Sequence, residues 1–258
     1  MRRHRIIDDT PAEVVIVDED EPCPYLEGRT ARLPLRLPLR RLTRIETDER
    51  LAQGDRRYGR MLYRTTCPSC RSCEPLRVPV ESFVPSRSQR RVLARGDREL
   101  RTEIGAPIMT PERLALYDRH RVGRGLAKDS DPVLDEAMFS AFFVDSSVDT
   151  LEFRFYLDDA FIGFAVADRG ANAISAVYCA FDPACSRLSV GTYSILKHIE
   201  FARAERLTYV YLGLYIAENQ HVNYKARFMP HERLVDGKWH LHDRNRGTDT
   251  RSRCVCED

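Results

Sequence analysis

Between residues 151 and 213 the side-chain pattern changes in an order that few folds accommodate. Residues 151–157 and 161–167 are apolar runs of strand length, joined by Asp158-Asp159-Ala160, a hairpin signal. Residues 174–181 form a third such run, stopped by Asp182-Pro183. From Gly191 to Arg206 the period changes. Tyr193, Leu196, Ile199, Phe201 and Ala204 recur at roughly helical spacing. Residues 208–212 return to strand character and end at Gly213. Three strands, a helix and a further strand predict an α/β chain.

The part before residue 151 is less regular. Residues 14–17 read as an edge strand or a loose arm, and residues 31–42 alternate apolar and basic side chains around Pro34 and Pro38, as an extended or edge segment does. A short helix is expected over 48–53. Strands over 61–64 and 76–80 flank a cysteine knuckle. Pro85-Ser86-Arg87-Ser88-Gln89-Arg90-Arg91-Val92-Leu93 reads as a loop running into a short basic helix. Gly105 and Pro107 mark a boundary. Thr110-Pro111-Glu112 starts a helix well, with an N-cap, a proline in the first turn and an acid near the helix dipole. Further helices are expected over 133–143 and 218–228. The segments suggest an arm over 1–20, a basic domain with the cysteine knuckle over 21–105, a second domain over 106–239 and a polar tail over 240–258.

Charge separates these regions. The net charge is only +2, yet residues 29–124 hold 23 Arg, no Lys and 11 acids, while the flanking stretches are each net −5. Arg outnumbers Lys 37 to 4 throughout, which accounts for the choice of base but not for the scarcity of acids in this block. Such a block is the footprint of a polyanion partner. The 43% apolar and 31% charged fractions describe a globular chain and exclude disorder. No run approaches the roughly 18 apolar residues of a membrane span, and the basic start Met1-Arg2-Arg3-His4-Arg5 leads into Asp8 and Asp9 instead of an export signal, so a cytoplasmic protein without membrane contact is expected.

In that reducing setting, clustered cysteines are metal ligands or reactive thiols more often than bridges. Cys67, Cys70 and Cys73 have the spacing that lets a tight knuckle bring thiols together, and Cys23 could supply a fourth ligand for zinc or an iron–sulfur cluster. The alternative is a reduced loop. Cys254 and Cys256 lie in the expected tail and read as bland. His198 reads as a packing residue within the long helix. No G-x-S-x-G occurs, so no covalent intermediate is expected.

Ser189-Val190-Gly191-Thr192 sits where a strand gives way to the long helix. The glycine admits a close ligand, and the helix start offers unpaired N–H donors to an anion. This order of elements is similar to the GNAT acyltransferase fold. It lacks that family's usual Q/R-x-x-G-x-G/A loop, since Leu188 and Tyr193 occupy the flanking positions.

Several segments together resemble one family, the aminoacyl-tRNA–protein transferases, and within it the bacterial branch that moves leucine. They are Cys23-Pro24-Tyr25-Leu26, Tyr63-Arg64 with the knuckle, the run from Pro85 to Leu93, Ser175-Ala176-Val177-Tyr178, Phe181-Asp182-Pro183, Ser189 to Tyr193, Tyr211-Leu212-Gly213, and Tyr224-Lys225 through Phe228 and Pro230 to Glu232. There are departures. His221 and Val222 stand where the family has a basic residue and Met, Val190 replaces a Leu, and Leu26 stands where eukaryotic arginyl relatives have a second Cys. The resemblance implies a GNAT-like acyltransferase fold with an N-terminal cysteine-containing basic subdomain. It implies transfer of leucine from Leu-tRNA to proteins or peptides beginning with Asp or Glu, the mark of an N-degron, with no cofactor needed for transfer. It gives no oligomeric state. Arg64, Arg87, Arg90 and Lys225 are candidates for gripping the acceptor's acid. Tyr178, Tyr211 and Tyr224 are candidates for orienting the amine or the terminal adenosine. Ser88, Ser189, Gly191, Thr192 and Gly213 complete the expected substrate contacts. Arginyl transfer is the near alternative, and acetyl-CoA-dependent N-acetylation or non-catalytic RNA binding are the alternatives of other classes.

Overall fold

The computed structural model describes residues 5–7, 9–127 and 134–244; Cys254, Cys256 and most of the expected tail lie outside them. Among the described residues the early strands are β1 (Ile6–Ile7), β2 (Glu13–Val17), β3 (Asp20–Pro22), β4 (Thr30–Arg32), β5 (Leu35–Pro38), β6 (Arg56–Tyr58) and β7 (Met61–Tyr63). The later ones are β8 (Glu74–Pro79), β9 (Leu100–Gly105), β10 (Asp149–Leu157), β11 (Ala160–Arg169), β12 (Ala173–Phe181), β13 (Tyr209–Tyr215), β14 (His231–Val235) and β15 (Lys238–His242). The helices are α1 (Arg44–Ala52), α2 (Arg87–Glu99), α3 (Pro111–Gly123), α4 (Glu136–Phe139) and α5 (Val190–Ala204). The fold is α/β. A small sheet runs β1-β2-β5-β7-β6, and a large mixed sheet runs β15-β14-β8-β13-β12-β11-β10-β9.

Local sequence accounts for most elements. Asp158 and Asp159 both take positive φ, which turns the β10–β11 hairpin tightly enough to pair Leu157 with Ala160. Thr110 caps α3 through the Arg113 N–H, with Pro111 in the first turn. Ser86 and Gln89 form a reciprocal capping box on α2, so part of the Ser-Arg-Ser-Gln-Arg-Arg run is helix punctuation. The helix expected over 218–228 does not form. A turn held by the Asn219 side chain leads to a single 3₁₀ stretch, Asn223–Arg227, because Asn219 Oδ1 accepts from the His221 N–H and competes with a helical ladder. Residue 213 does not end its strand; β13 continues through it as a bulge to Tyr215. Beyond Phe228 a further hairpin, β14–β15, runs to His242 and sets β14 against β8.

The large sheet is covered on both faces at its centre. Along β11, Ala165 and Ala167 face the cluster built with Leu196 and Ile199 of α5, while Phe164 and Val166 face Leu116 of α3 and Phe139 of α4. This alternation is the pattern of a strand buried on both sides. Among the described residues only β12 and β13 run parallel, α5 forming the crossover between them. They pair over Ala173–Ser175 and Tyr209–Tyr211 and then part, which leaves the far half of β12 with a partner on one side only. No helix among the described residues is long and apolar enough to cross a membrane.

His198 lies inside the main core with its ring 4.5 Å from that of Phe153, and neither ring nitrogen has a partner. Burial pushes its pKa down to about 3. The folded protein therefore holds it neutral, whereas the unfolded chain takes up a proton below the ordinary value of 6.5. Its contribution to stability is complete above about pH 6.5 and declines as pH falls toward 3, at up to about 1.4 kcal/mol per pH unit. His198→Leu is expected to gain about 2 kcal/mol relative to the native chain on going from pH 7 to pH 5. Urea unfolding at both pH values measures it; equal acid losses in the two chains would count against this account.

Candidate active site

The site lies where β12 and β13 part, between the two sheets. One lobe, a cavity of about 610 Å³, is walled by Tyr58 and Tyr63 of the small sheet, Tyr117 of α3, Phe142, Val177 and Tyr178. Arg56, Arg57 and Lys225 supply its cations, and no Asp or Glu lines it among the described residues. A second lobe of about 700 Å³ is walled by Tyr178, Tyr224, Ser189, Gly191 and Thr192, with Arg124 and Arg227 also on it. The lobes share Leu126, Tyr178 and His221.

The second lobe is opened by the start of α5. Ser189 adopts left-handed backbone angles and gives the helix no side-chain cap, so its carbonyl receives the N–H groups of Thr192 and Tyr193 while those of Val190 and Gly191 have no such partner. Unpaired donors at a helix start favour an anion or a polarised oxygen. Burial pushes the Tyr224 hydroxyl up to about 12 and raises Tyr178 as well, so both phenols stay protonated and able to donate. The 3₁₀ stretch carrying Tyr224 and Lys225 is tied to α2 by the Gln89 amide, which donates to the Arg227 carbonyl. The capping box thus also fixes the cleft wall.

In the first lobe, Lys225 Nζ donates to the Leu214 carbonyl at 2.9 Å. Burial, followed by the charge of Arg56, lowers its pKa to about 7. Arg57 is pinned: Nε meets both Asp168 oxygens at 2.9 Å, and Nη1 donates to the Gly59 and Phe142 carbonyls. It thereby joins the β6–β7 turn, β11 and the 140–144 helix into one wall. Arg56 donates to Ser175 Oγ at 3.4 Å and to the Ala176 carbonyl at 3.1 Å, just beyond the point where the strands part.

Of the residues singled out in the sequence, Tyr178, Tyr224, Lys225, Ser189, Gly191 and Thr192 come together here. Gly213 stands behind the site. Its φ is +84°, and a Cβ there would lie 2.7 Å from Arg56 Nη2, so the bare backbone is what makes room for that guanidinium. Tyr211 is not in the cleft. Its hydroxyl accepts from Arg77, whose guanidinium lies 3.8 Å from the Tyr209 ring and 4.0 Å from that of Trp239. Arg64 is engaged elsewhere, gripping Asp55 with Nε at 2.7 Å and Nη2 at 3.0 Å. Arg87, Ser88 and Arg90 are exposed at the start of α2, outside both lobes, where Arg87, Arg90, Arg91 and Arg95 make an exposed basic face. Much of the arginine-rich block is spent internally, as in Arg36–Glu13, Arg57–Asp168 and Arg113–Glu152. Sequence reading missed Arg56 and Arg57. The flanking Gly54 and Gly59 were the available sign that this pair is packed closely.

The four cysteines gather around the knuckle. Burial pushes the Cys73 thiol up to about 12, with Cys67, Cys23 and Cys70 adding to the shift, whereas Ser72 and then Arg29 lower Cys70. The donor set suits zinc or iron–sulfur chemistry. Yet no three His, Cys, Asp or Glu side chains among the described residues converge in a geometry that holds a metal ion. The knuckle abuts the cleft: the Asn219 amide donates to the Tyr25 carbonyl, and Arg29 lies 3.8 Å from Glu218.

Comparison with known proteins bears on this architecture. Residues 21–91 match the sequence model of the arginine-tRNA-protein transferase N terminus, and residues 112–235 match that of its C terminus. A protein of Thiobacillus denitrificans named aspartate/glutamate leucyltransferase is 36% identical over 222 residues, spanning 84% of this chain and 90% of its own length. Its namesake in Saccharophagus degradans is 36% identical over 224 residues, spanning 84% and 92%. Among solved structures, the C-terminal domain of a putative lysylphosphatidylglycerol synthetase from Agrobacterium fabrum superposes with a TM-score of 0.47 at 15% identity, over 66% of this chain and 58% of that one. FemX gives 0.45 at 10% identity, over 71% and 64%. Those distant likenesses carry no weight for function. The sequence kinship does: matched in both halves and along most of its length, the chain belongs to the arginine-tRNA-protein transferase family.

Proposed function

We propose that the protein transfers leucine from Leu-tRNA to the amino terminus of acceptor proteins beginning with Asp or Glu, in the cytoplasm, on a GNAT-like framework formed by β12, α5 and β13. The observation that carries this reading is the pair of lobes meeting at Tyr178 and His221. The donor's CCA end enters the lobe at the start of α5, and the acceptor's amino end enters the aromatic, cationic lobe. The exposed arginine face of α2, a helix tied through Gln89 to Arg227 on the wall of the donor lobe, suits acceptor-stem phosphates.

An aminoacyl ester is already activated, so the step needs no cofactor. The acceptor's neutral amine adds to the ester carbonyl. The carbon–oxygen bond to the terminal ribose then breaks, and the proton lost by nitrogen leaves with the ribose hydroxyl. Holding the two reactants in line contributes roughly 7–11 kcal/mol. A donor aimed at the developing oxyanion adds about 2.7–4 kcal/mol, a role open to the α5 N–H groups and the protonated phenols.

The test offers the purified chain leucyl-, arginyl- and phenylalanyl-tRNA with peptides beginning Asp, Glu, Arg or Ala. Leucine is expected on the acidic starts alone. Arginine transfer would move the reading to the arginyl variant, and acetyl-CoA turnover without amino-acid transfer would overturn it.

A further inference from the structure

The first lobe contains two cations that the protein leaves without a counter-ion. Arg56 has no carboxylate partner among the described residues. Its two bonds go to neutral oxygens, one of them long, so three of the five guanidinium N–H donors remain. Lys225 spends one donor on the Leu214 carbonyl. The field of Arg56 disfavours the Lys225 charge, as expected for like charges facing each other in a cleft. Elsewhere the chain pairs its buried arginines closely with acids, Arg36 with Glu13 and Asp55, Arg57 with Asp168, Arg113 with Glu152. Arg56, which is half-buried, has no such acid among the described residues. It is also held in place: Gly213 leaves room for it, and the carbonyl beyond the strand split anchors it.

We propose that Arg56, with Lys225 across the lobe, receives the side-chain carboxylate of the acceptor's first residue and so selects Asp and Glu over their amides. This deepens the reading above and rests on it for the identity of the anion. A carboxylate completes the donor set of a planar fork and relieves the repulsion between the two cations. Tyr58, Tyr63 and Phe142 give the lobe aromatic walls, beside which an ion pair is stronger than in open water. Arg64, Arg87 and Arg90 do not share the role, the first being bound to Asp55 and the others lying outside the lobe.

The test measures binding, independently of transfer. Fluorescent peptides beginning Asp, Glu, Asn or Gln and otherwise identical are titrated into the full chain and its Arg56→Gln and Arg56→Lys variants, with thermal melting as the check on folding. The native protein is expected to prefer Asp over Asn. Arg56→Gln is expected to weaken Asp and Glu binding on the order of 100-fold and to leave Asn binding nearly unchanged. Arg56→Lys, which keeps the charge and loses the fork, is expected to retain part of the preference and serves if the glutamine variant does not fold. tRNA affinity at fixed salt is expected to stay within about twofold of native. No Asp-over-Asn preference in the native chain, an equal loss for all four peptides, or a loss confined to tRNA would each overturn the assignment; the last would identify a phosphate site. A native chain that discriminates Asp from Asn yet transfers nothing would leave the clamp standing and sink the transfer reading.

Discussion

Arg36→Met is expected to lower the unfolding free energy by about 3–5 kcal/mol, the range for removing one partner of a buried ion pair. Arg36 Nη1 meets Glu13 at 2.8 Å and Nη2 meets Asp55; Glu13 is 0% exposed and Asp55 2%. Arg64 would still hold Asp55, and Arg50 stands 3.0 Å from Glu13, but Glu13 Oε1 already lacks a hydrogen bond. The variant would therefore bury a carboxylate that no neighbour fully satisfies. Combining it with Glu13→Leu is expected to recover more than half of the loss, because the demand for a cation goes with the acid. Denaturant unfolding of the native chain, both single variants and the double variant measures the coupling. Purely additive losses would show that the pair does not act as a unit. The consequence for function is direct. Asp55 precedes Arg56 on the chain, so a network that fixes residue 55 also fixes where β6 presents its guanidinium.

The same network shows what the sequence could and could not disclose. The hairpin at Asp158-Asp159, the crossover helix and the Thr110 cap were legible because each depends on neighbours in sequence. The Gly191 turn was legible for the same reason. The cationic lobe was not. Whether an arginine in a segment that holds 23 of them faces solvent, a carboxylate or a cleft depends on contacts as distant as Arg57 with Asp168, and composition cannot sort them. Tyr211 and Arg64 resembled site residues by motif, yet tertiary partners claim both. The helix expected over 218–228 does not form because a side chain, Asn219, binds the backbone in place of a helical ladder, a competition that local sequence does not decide. The β14–β15 hairpin was missed although Asp236-Gly237 forms its turn and Trp239 and Leu241 alternate with polar residues, because its first strand, His231-Glu232-Arg233-Leu234-Val235, shows no alternation.

Gly191→Val is expected to separate folding from catalysis in the donor lobe. Gly191 lies in the first turn of α5, and a Cβ built there would meet only the Phe181 ring, at 3.6 Å, an ordinary contact. Nothing in the folded chain requires glycine at this position. An alanine there is expected to leave stability unchanged or raise it by up to about 1 kcal/mol, since it reduces the freedom of the unfolded chain. A ligand approaching the unpaired N–H groups would require the glycine, because any side chain stands between it and the backbone. Transfer efficiency with respect to the charged tRNA is therefore expected to fall in steps, modestly for alanine and on the order of 100-fold for valine, as when a reacting group is displaced by about an ångström. Binding of an Asp-starting peptide is expected to be unchanged, since the proposed acceptor site is the other lobe. Full activity of the valine variant would mean that the donor does not approach the start of α5. A matching loss of peptide binding would mean that the two lobes are one site, and the division of the cleft into donor and acceptor ends would have to be abandoned.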